Sequence, residues 1–145
     1  MNTNSDLART LDEMHRDRQR LLALLQQLSA EDLERSRRGG WTVRRVIEHV
    51  IESEATYAKV LAHLCSREAA ALPTRDIATA SEAIEKLNTT RTVALAMIDG
   101  VDDETLYRLV ELGREEYSPL SMLENIALHD REHEDQIHTL ISAPA

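Results

Sequence analysis

The sequence predicts an all-α protein: one four-helix-bundle domain spanning residues 1–145. Three observations predict it. Four long stretches place apolar residues three and four apart, the period of a helix that buries one face. Hydrophobic residues make up 42% of the chain but aromatics only 3%, with no Phe, so the core is aliphatic and suited to helix packing. Four Gly and three Pro are too few for a chain of many β-turns. A length of 145 residues favours a single domain with a real core.

The first helix is expected over residues 5–28, with Leu7, Leu11, Met14, Leu21, Leu25 and Leu28 on its stripe. Arg18 fills the remaining slot. Residues 29–41 follow as a capped single turn and a loop marked by two glycines. The second helix opens at Thr42, an N-cap residue type, and runs to about 66. Its stripe is Val43, Val46, Ile47, Val50, Tyr57, Leu61 and Leu64, with Glu54 in line. Residues 67–79 contain Pro73 and no periodic stripe. The third helix covers 80–98 with Ile84, Leu87, Leu95 and Ile98, and Arg91 in line. Residues 99–117 read as a turn with another short helix. The fourth helix opens at Ser118-Pro119, a cap followed by proline at the first helical position. It runs to about 141 with Leu123, Ile126, His133, Ile137 and Leu140, and Asp130 in line.

The connections suggest the topology. Short links after the first and third helices favour antiparallel neighbours there. The link after the second helix, about 13 residues, can span roughly 43 Å when extended. That exceeds the helix itself, about 36 Å long, so the chain can return along the bundle and leave the second and third helices parallel.

Charge removes some functions. The net charge is −9, which opposes a phosphate backbone, and the one basic run, "RSRRGG" at 35–40, reads as a solvated loop. No nucleic acid is expected. No apolar run reaches the ~20 residues of a membrane span, and the opening residues lack the apolar core of a secretory leader. A cytoplasmic protein is expected. The single cysteine, Cys65, excludes an internal disulfide and reads as a small core residue.

Six histidines remain to be placed: His15, His49, His63, His129, His133 and His138. His129 and His133 are four residues apart, so both rings leave one face of the fourth helix, a spacing that lets two imidazoles hold one metal. A core histidine bonded to a neighbour is the competing reading. His49 is the candidate third ligand. It lies seven residues into the second helix and His133 eight residues from the end of the fourth. In antiparallel helices their heights agree within about 2 Å. His63 is near the opposite end, and His15 and His138 point off the stripes. Three imidazoles suit Zn²⁺, Ni²⁺ or Fe²⁺ and leave a position open. "HDREH" also matches a metallopeptidase pattern with Glu132 as base, but helical phase turns Glu132 away from His133.

Arg18, Glu54, Arg91 and Asp130 occupy stripe slots in four different helices at one expected height, roughly one turn from the histidines. Buried charges must pair, so an interior ionic network is expected. The functional alternative makes Asp130 or Glu54 a group that orients a ligand histidine or exchanges protons at the site.

"GWTVRRVIEHVIESEATY" resembles the DinB-like metal-binding superfamily at Trp41, Thr42, His49 and Glu54. "YSPLSMLENIALHDREHEDQI" is similar to that family's last helix at His129 and His133, with Gln136-Ile137 trailing. The resemblance covers residues 5–141. It implies a four-helix bundle with a three-histidine divalent metal site, commonly in a homodimer. It also implies chemistry of the kind seen in thiol-dependent transferases and isomerases, where metal activates a low-molecular-weight thiol. The expectation is therefore a metal-dependent enzyme acting on a small molecule, by thiol S-transfer or metal-assisted hydrolysis, with His49, His129 and His133 as ligands. Trp41 is expected to anchor the start of the second helix. The alternative is a non-catalytic, stress-related homodimer with a structural metal or none.

Overall fold

Each long helix begins at a side chain that closes its first turn. The computed structural model describes residues 4–142. Asn4 accepts from the backbone N–H groups of Asp6 and Leu7 to open α1, Ser5–Gln26. Ser29 and Asp32 form a reciprocal capping box on the single turn α2, Ala30–Leu33. Thr42 caps α3, Val43–Leu64, and Thr79 caps α4, Ala80–Ile98. Asp102 caps the short α5, Asp103–Tyr107. Ser118 Oγ accepts from the Ser121 N–H at 3.0 Å to start α6, Pro119–Ser142.

One element was not expected. Residues 99–117 contain the expected turn and short helix, α5. It is followed by a hairpin of β1, Val110–Leu112, and β2, Glu115–Tyr117, paired antiparallel with Val110 opposite Tyr117. The two-residue loop begins with Gly113 at φ 67, the positive-φ first position that a type II′ hairpin turn requires. Strands this short carry too little alternation to be told from loop by pattern.

The four long helices run up, down, down and up. Arg67, just past α3, donates to the carbonyls of Ala96 and Met97 at the end of α4. Arg44, at the start of α3, donates to the carbonyl of Ile77, just before α4. α3 and α4 are thus parallel, as the long link allows. The neighbours differ from expectation. α1 packs on α6 and α4, and α3 packs on α4 and α6, so the successive pairs α1–α3 and α4–α6 are antiparallel but lie across the diagonals. Both diagonal links send a leucine into the core: Leu33 in the first joins one aliphatic cluster and Leu106 in the last joins the other.

The core is split into two aliphatic clusters. One joins Leu7 and Met14 of α1 with Leu61 and Leu64 of α3, Met97 of α4 and Leu123 of α6. The other joins Leu21 and Leu25 with Val46, Ile47, Leu87, Ile137 and Leu140. Leu95, placed on the stripe by periodicity, is 37% exposed, and Val93, Ala94 and Met97 are buried instead.

Between the clusters lies a layer of buried charge. Arg18 donates through Nε and Nη2 to Asp130 at 2.9 and 3.1 Å, and through Nη2 to Glu54 at 2.8 Å. Arg91 donates to Glu54 at 2.7 Å and Asp130 at 3.0 Å. Thr90 Oγ1 donates to Glu54 at 2.6 Å. The guanidiniums also cap facing backbones: Arg18 on the Leu87 carbonyl and Arg91 on the Met14 carbonyl. Burial opposes the charge on Glu54, yet Arg18 and Arg91 hold its carboxyl below the usual range. Burial likewise opposes Arg18, and the two carboxylates outweigh it and raise its pKa. Removing one partner of such a set leaves uncompensated buried charge, at a cost of about 3–5 kcal/mol. Arg18→Met should lower unfolding free energy by about that much in urea melts. A loss under about 1 kcal/mol would show that the layer relaxes and does not hold the helices.

Candidate functional site

The site is a consequence of helical phase at the α3–α6 seam. In α3, His49 falls between the buried residues Ile47 and Val50, at the edge of the buried stripe. In α6, His129 and His133 flank Asp130 and precede Ile137 on the same side. Because the two helices run antiparallel, the three rings meet. Their ligand atoms all lie within 4.8 Å of one another, and each residue is half-buried.

Nε2 is the atom that converges. His133 Nε2 is 3.0 Å from His129 Nε2, which is 3.3 Å from His49 Nε2. A tetrahedral ion with Zn–N bonds of 2.0–2.1 Å would separate its ligand nitrogens by about 3.3–3.4 Å. The His133 ring is held from behind: its Nδ1–H donates to Gln136 Oε1 at 2.7 Å, which leaves its Nε2 as a lone pair facing the other two rings. A single N–H on His129 could satisfy only one neighbour, whereas a cation would satisfy all three. The donor set therefore fits a divalent ion. No carboxylate or thiol joins the cluster among the described residues; Cys65 caps the far end of α3.

Burial is the main force on the rings' acidity. It pushes His129 down to about 4, with repulsion from His133 and His49 adding to it. It also lowers His49, helped by His133 and Arg45 and opposed by Glu52. Both rings are therefore neutral near pH 7, the form that binds a cation.

Around the rings stand groups the sequence pattern placed less well. Trp41 does not enter the core at the start of α3. It is 47% exposed, with its ring 5.4 Å from that of His49. The Arg45 guanidinium stacks 4.4 Å from the Trp41 ring centre. Tyr57 meets His129 edge-on at 5.6 Å. Gln136 could have been found, since it lies one turn after His133. Trp41 and Arg45 had no such signal, because their positions depend on how the loop enters the helix.

Glu54 and Asp130 lie close to the histidines but do not touch them. The carboxylate oxygens of both are taken by Arg18, Arg91 and Thr90. Their influence is electrostatic, and Glu54 tends to raise His129. Glu132 is exposed and outside the cluster. His15, His63 and His138 are exposed and apart from it.

A cavity of about 250 Å³ is lined by Arg37, Gly40, Trp41, Gln136, Thr139 and Leu140, and none of the three histidines lines it. Larger hollows of about 610 and 470 Å³ lie at the α1–α2–α4 junction and between α1 and α4, away from the triad. No helix among the described residues is long and apolar enough to cross a membrane.

The family model described as the DinB superfamily matches residues 6–137, nearly the whole chain, and the chain belongs to that family. A solved structure, the four-helix-bundle protein TT2238, is similar with a TM-score of 0.72 and 25% identity, over 91% of this chain and 98% of that one. Among the curated proteins, none matches the chain.

The low pKa of His129 predicts a pH dependence. The unfolded ring, near 6.5, takes up its proton before the folded ring, near 4. The stability this residue contributes is therefore full above about pH 6.5 and is lost as pH falls toward about 4. Urea melts of metal-free protein at about pH 7 and about pH 4.5 should show a larger drop for the native chain than for His129→Gln. Equal drops would mean that the ring is solvated rather than buried.

Proposed function

We propose, from this chain's place in the DinB superfamily and the convergence of three Nε2 atoms, that it is a metal-dependent enzyme. Its reaction is transfer of a low-molecular-weight thiol to a small electrophile, with metal-assisted hydrolysis the second possibility within the same chemistry. His49, His129 and His133 hold a divalent ion, Zn²⁺, Ni²⁺ or Fe²⁺. Such an ion is a Lewis acid that lowers the pKa of a thiol or water it binds, making a nucleophile near neutral pH. Three protein ligands leave coordination space, which distinguishes a catalytic donor set from a closed structural one.

The chain's other residues have supporting roles. Gln136 accepts the His133 Nδ1 proton and so selects the tautomer that presents Nε2. Trp41 and Tyr57 pack against His49 and His129 and restrict ring rotation. Glu54 and Asp130 are positioning residues: through Arg18 and Arg91 they tie α3 to α6 and so keep His49 level with His129 and His133.

The observation on which this reading stands is the 3.0 and 3.3 Å spacing of the three Nε2 atoms. Purified protein should take up about one equivalent of zinc or nickel per chain, as the single three-histidine set implies. His133→Ala, still folded by circular dichroism, should lose both the metal and thiol-transfer activity toward a panel of electrophiles. Turnover that survives without the metal would overturn the proposal. So would metal-dependent melting with no turnover on the panel, which would favour a structural ion. Gln136→Ala should weaken metal binding by about 10–100-fold in a competition titration; unchanged affinity would remove Gln136 from the site.

A further inference from the structure

Hydroxyls inside the helices of this chain follow a habit. Thr56, Thr89, Thr92 and Thr139 each donate to the backbone carbonyl four residues before, at 2.9–3.1 Å. That is an ordinary arrangement for a helical hydroxyl pointing away from other partners. Ser53, in the middle of α3, departs from it. Its Oγ makes no such bond to the His49 carbonyl; it faces the His49 ring and lies 3.5 Å from Nε2. That is long for an O–H donor, whose bonds run to about 3.0 Å. Ser53 Oγ has no nearer partner among the described residues. A half-buried hydroxyl therefore stands beside the converging nitrogens with its hydrogen weakly held.

Its place follows from helical spacing. His49, Ser53 and Tyr57 are four residues apart in turn, so they follow one face of α3. Trp41 reaches His49 from the start of the helix. Ser53 and Tyr57 follow in the next two turns, and the Tyr57 ring meets His129 edge-on at 5.6 Å. Nε2 is the atom by which His49 would hold an ion. Once that lone pair is given up, it no longer accepts from Ser53. The hydroxyl then turns back to the His49 carbonyl, as the threonines do, or donates to the atom that shares the ion. The carbonyl already accepts the Ser53 N–H within the helix. A hydrogen bond to a charged acceptor is about twice as strong as one between neutral groups, so an anionic atom is the better partner.

We propose that Ser53 donates a hydrogen bond to the reacting atom of the thiol or other nucleophile. It thereby selects an atom that keeps a lone pair after binding the ion: a thiolate sulfur or an anionic oxygen, and not an imidazole-type nitrogen. No carboxylate joins the cluster among the described residues, so the donor is neutral. It orients the atom and does not take its proton. This assignment rests on the metal-site reading above.

The test titrates cobalt-loaded protein with azide, 2-mercaptoethanol and imidazole, and follows the visible cobalt bands. Azide and the thiolate keep lone pairs on the bound atom; imidazole does not. Ser53→Ala puts the best helix former in the middle of α3, and circular dichroism should show the fold unchanged. It should bind cobalt within about twofold of the native chain, but azide and 2-mercaptoethanol about tenfold more weakly, as a lost hydrogen bond to a charged group implies. Imidazole affinity should not change. Ser53→Thr, which keeps the hydroxyl, should keep the native azide affinity. Equal azide affinities in the native chain and Ser53→Ala would overturn the proposal. So would a loss shared by imidazole, which would mean that Ser53 only shapes the space, or a Ser53→Thr no better than Ser53→Ala. Cobalt affinity lowered more than about tenfold by Ser53→Ala would make the serine a support of the ion itself, and would overturn it too. Should the native chain fail to bind cobalt, the metal-site reading fails, and this assignment fails as its consequence. Should cobalt bind and Ser53→Ala match the native chain with all three probes, this assignment alone fails.

Discussion

Four charges, buried where the four long helices cross, are the constraint on which the rest of the bundle depends. Arg18 and Arg91 each reach one carboxylate on an adjacent helix and one across a diagonal. Aliphatic contacts above and below are tolerant: a leucine stripe can slide or rotate and still be buried. The ionic layer is not tolerant. A shift of one helix by a turn, about 5.4 Å, would leave charges facing hydrocarbon. The layer sacrifices some of the stability an all-aliphatic interior could give. In return it admits one register.

The triad inherits that register. His129 is the residue before Asp130, and His49 lies five residues before Glu54. Whatever sets Asp130 and Glu54 at a common height also sets the rings. The Nε2 separations of 3.0 and 3.3 Å follow from a frame fixed elsewhere rather than from attraction between the rings. Left alone, three half-buried imidazoles have little reason to converge, and burial and repulsion disfavour the protonated forms of His49 and His129.

How much of this was legible in the sequence depended on the range of the interaction. Periodicity located the four helices within a few residues, and it showed Arg18, Glu54, Arg91 and Asp130 as interruptions of apolar stripes. Height arithmetic then brought them together, because a straight helix converts residue number into distance. The same arithmetic brought His49 to His133. What it could not supply was the lateral order of helices, because period and height do not say which stripe faces which. Nor could it supply the β1–β2 hairpin, too short for an alternating signal, or the outward turn of Leu95, where neighbouring Val93, Ala94 and Met97 compete for the same side. Nor did it show what Trp41 and Arg45 touch, for a related reason. Their surroundings are set by the approach of a loop, and a loop has no period.

The separation between frame and site bears on what a metal would do here. In small domains whose folding depends on zinc, ligands come from loops that nothing else holds, and binding energy is folding energy. Here the ligands project from two helices of 22 and 24 residues, already clamped by two aliphatic clusters and an ionic layer. An ion would add little order to such a frame. It would instead enter a site whose geometry is prepared, with one ring backed by Gln136 and two faced by aromatic side chains. Rigid first contacts backed by a supporting shell are what chemistry on a bound molecule requires. A clamp would not need the rings left half-buried at an open seam.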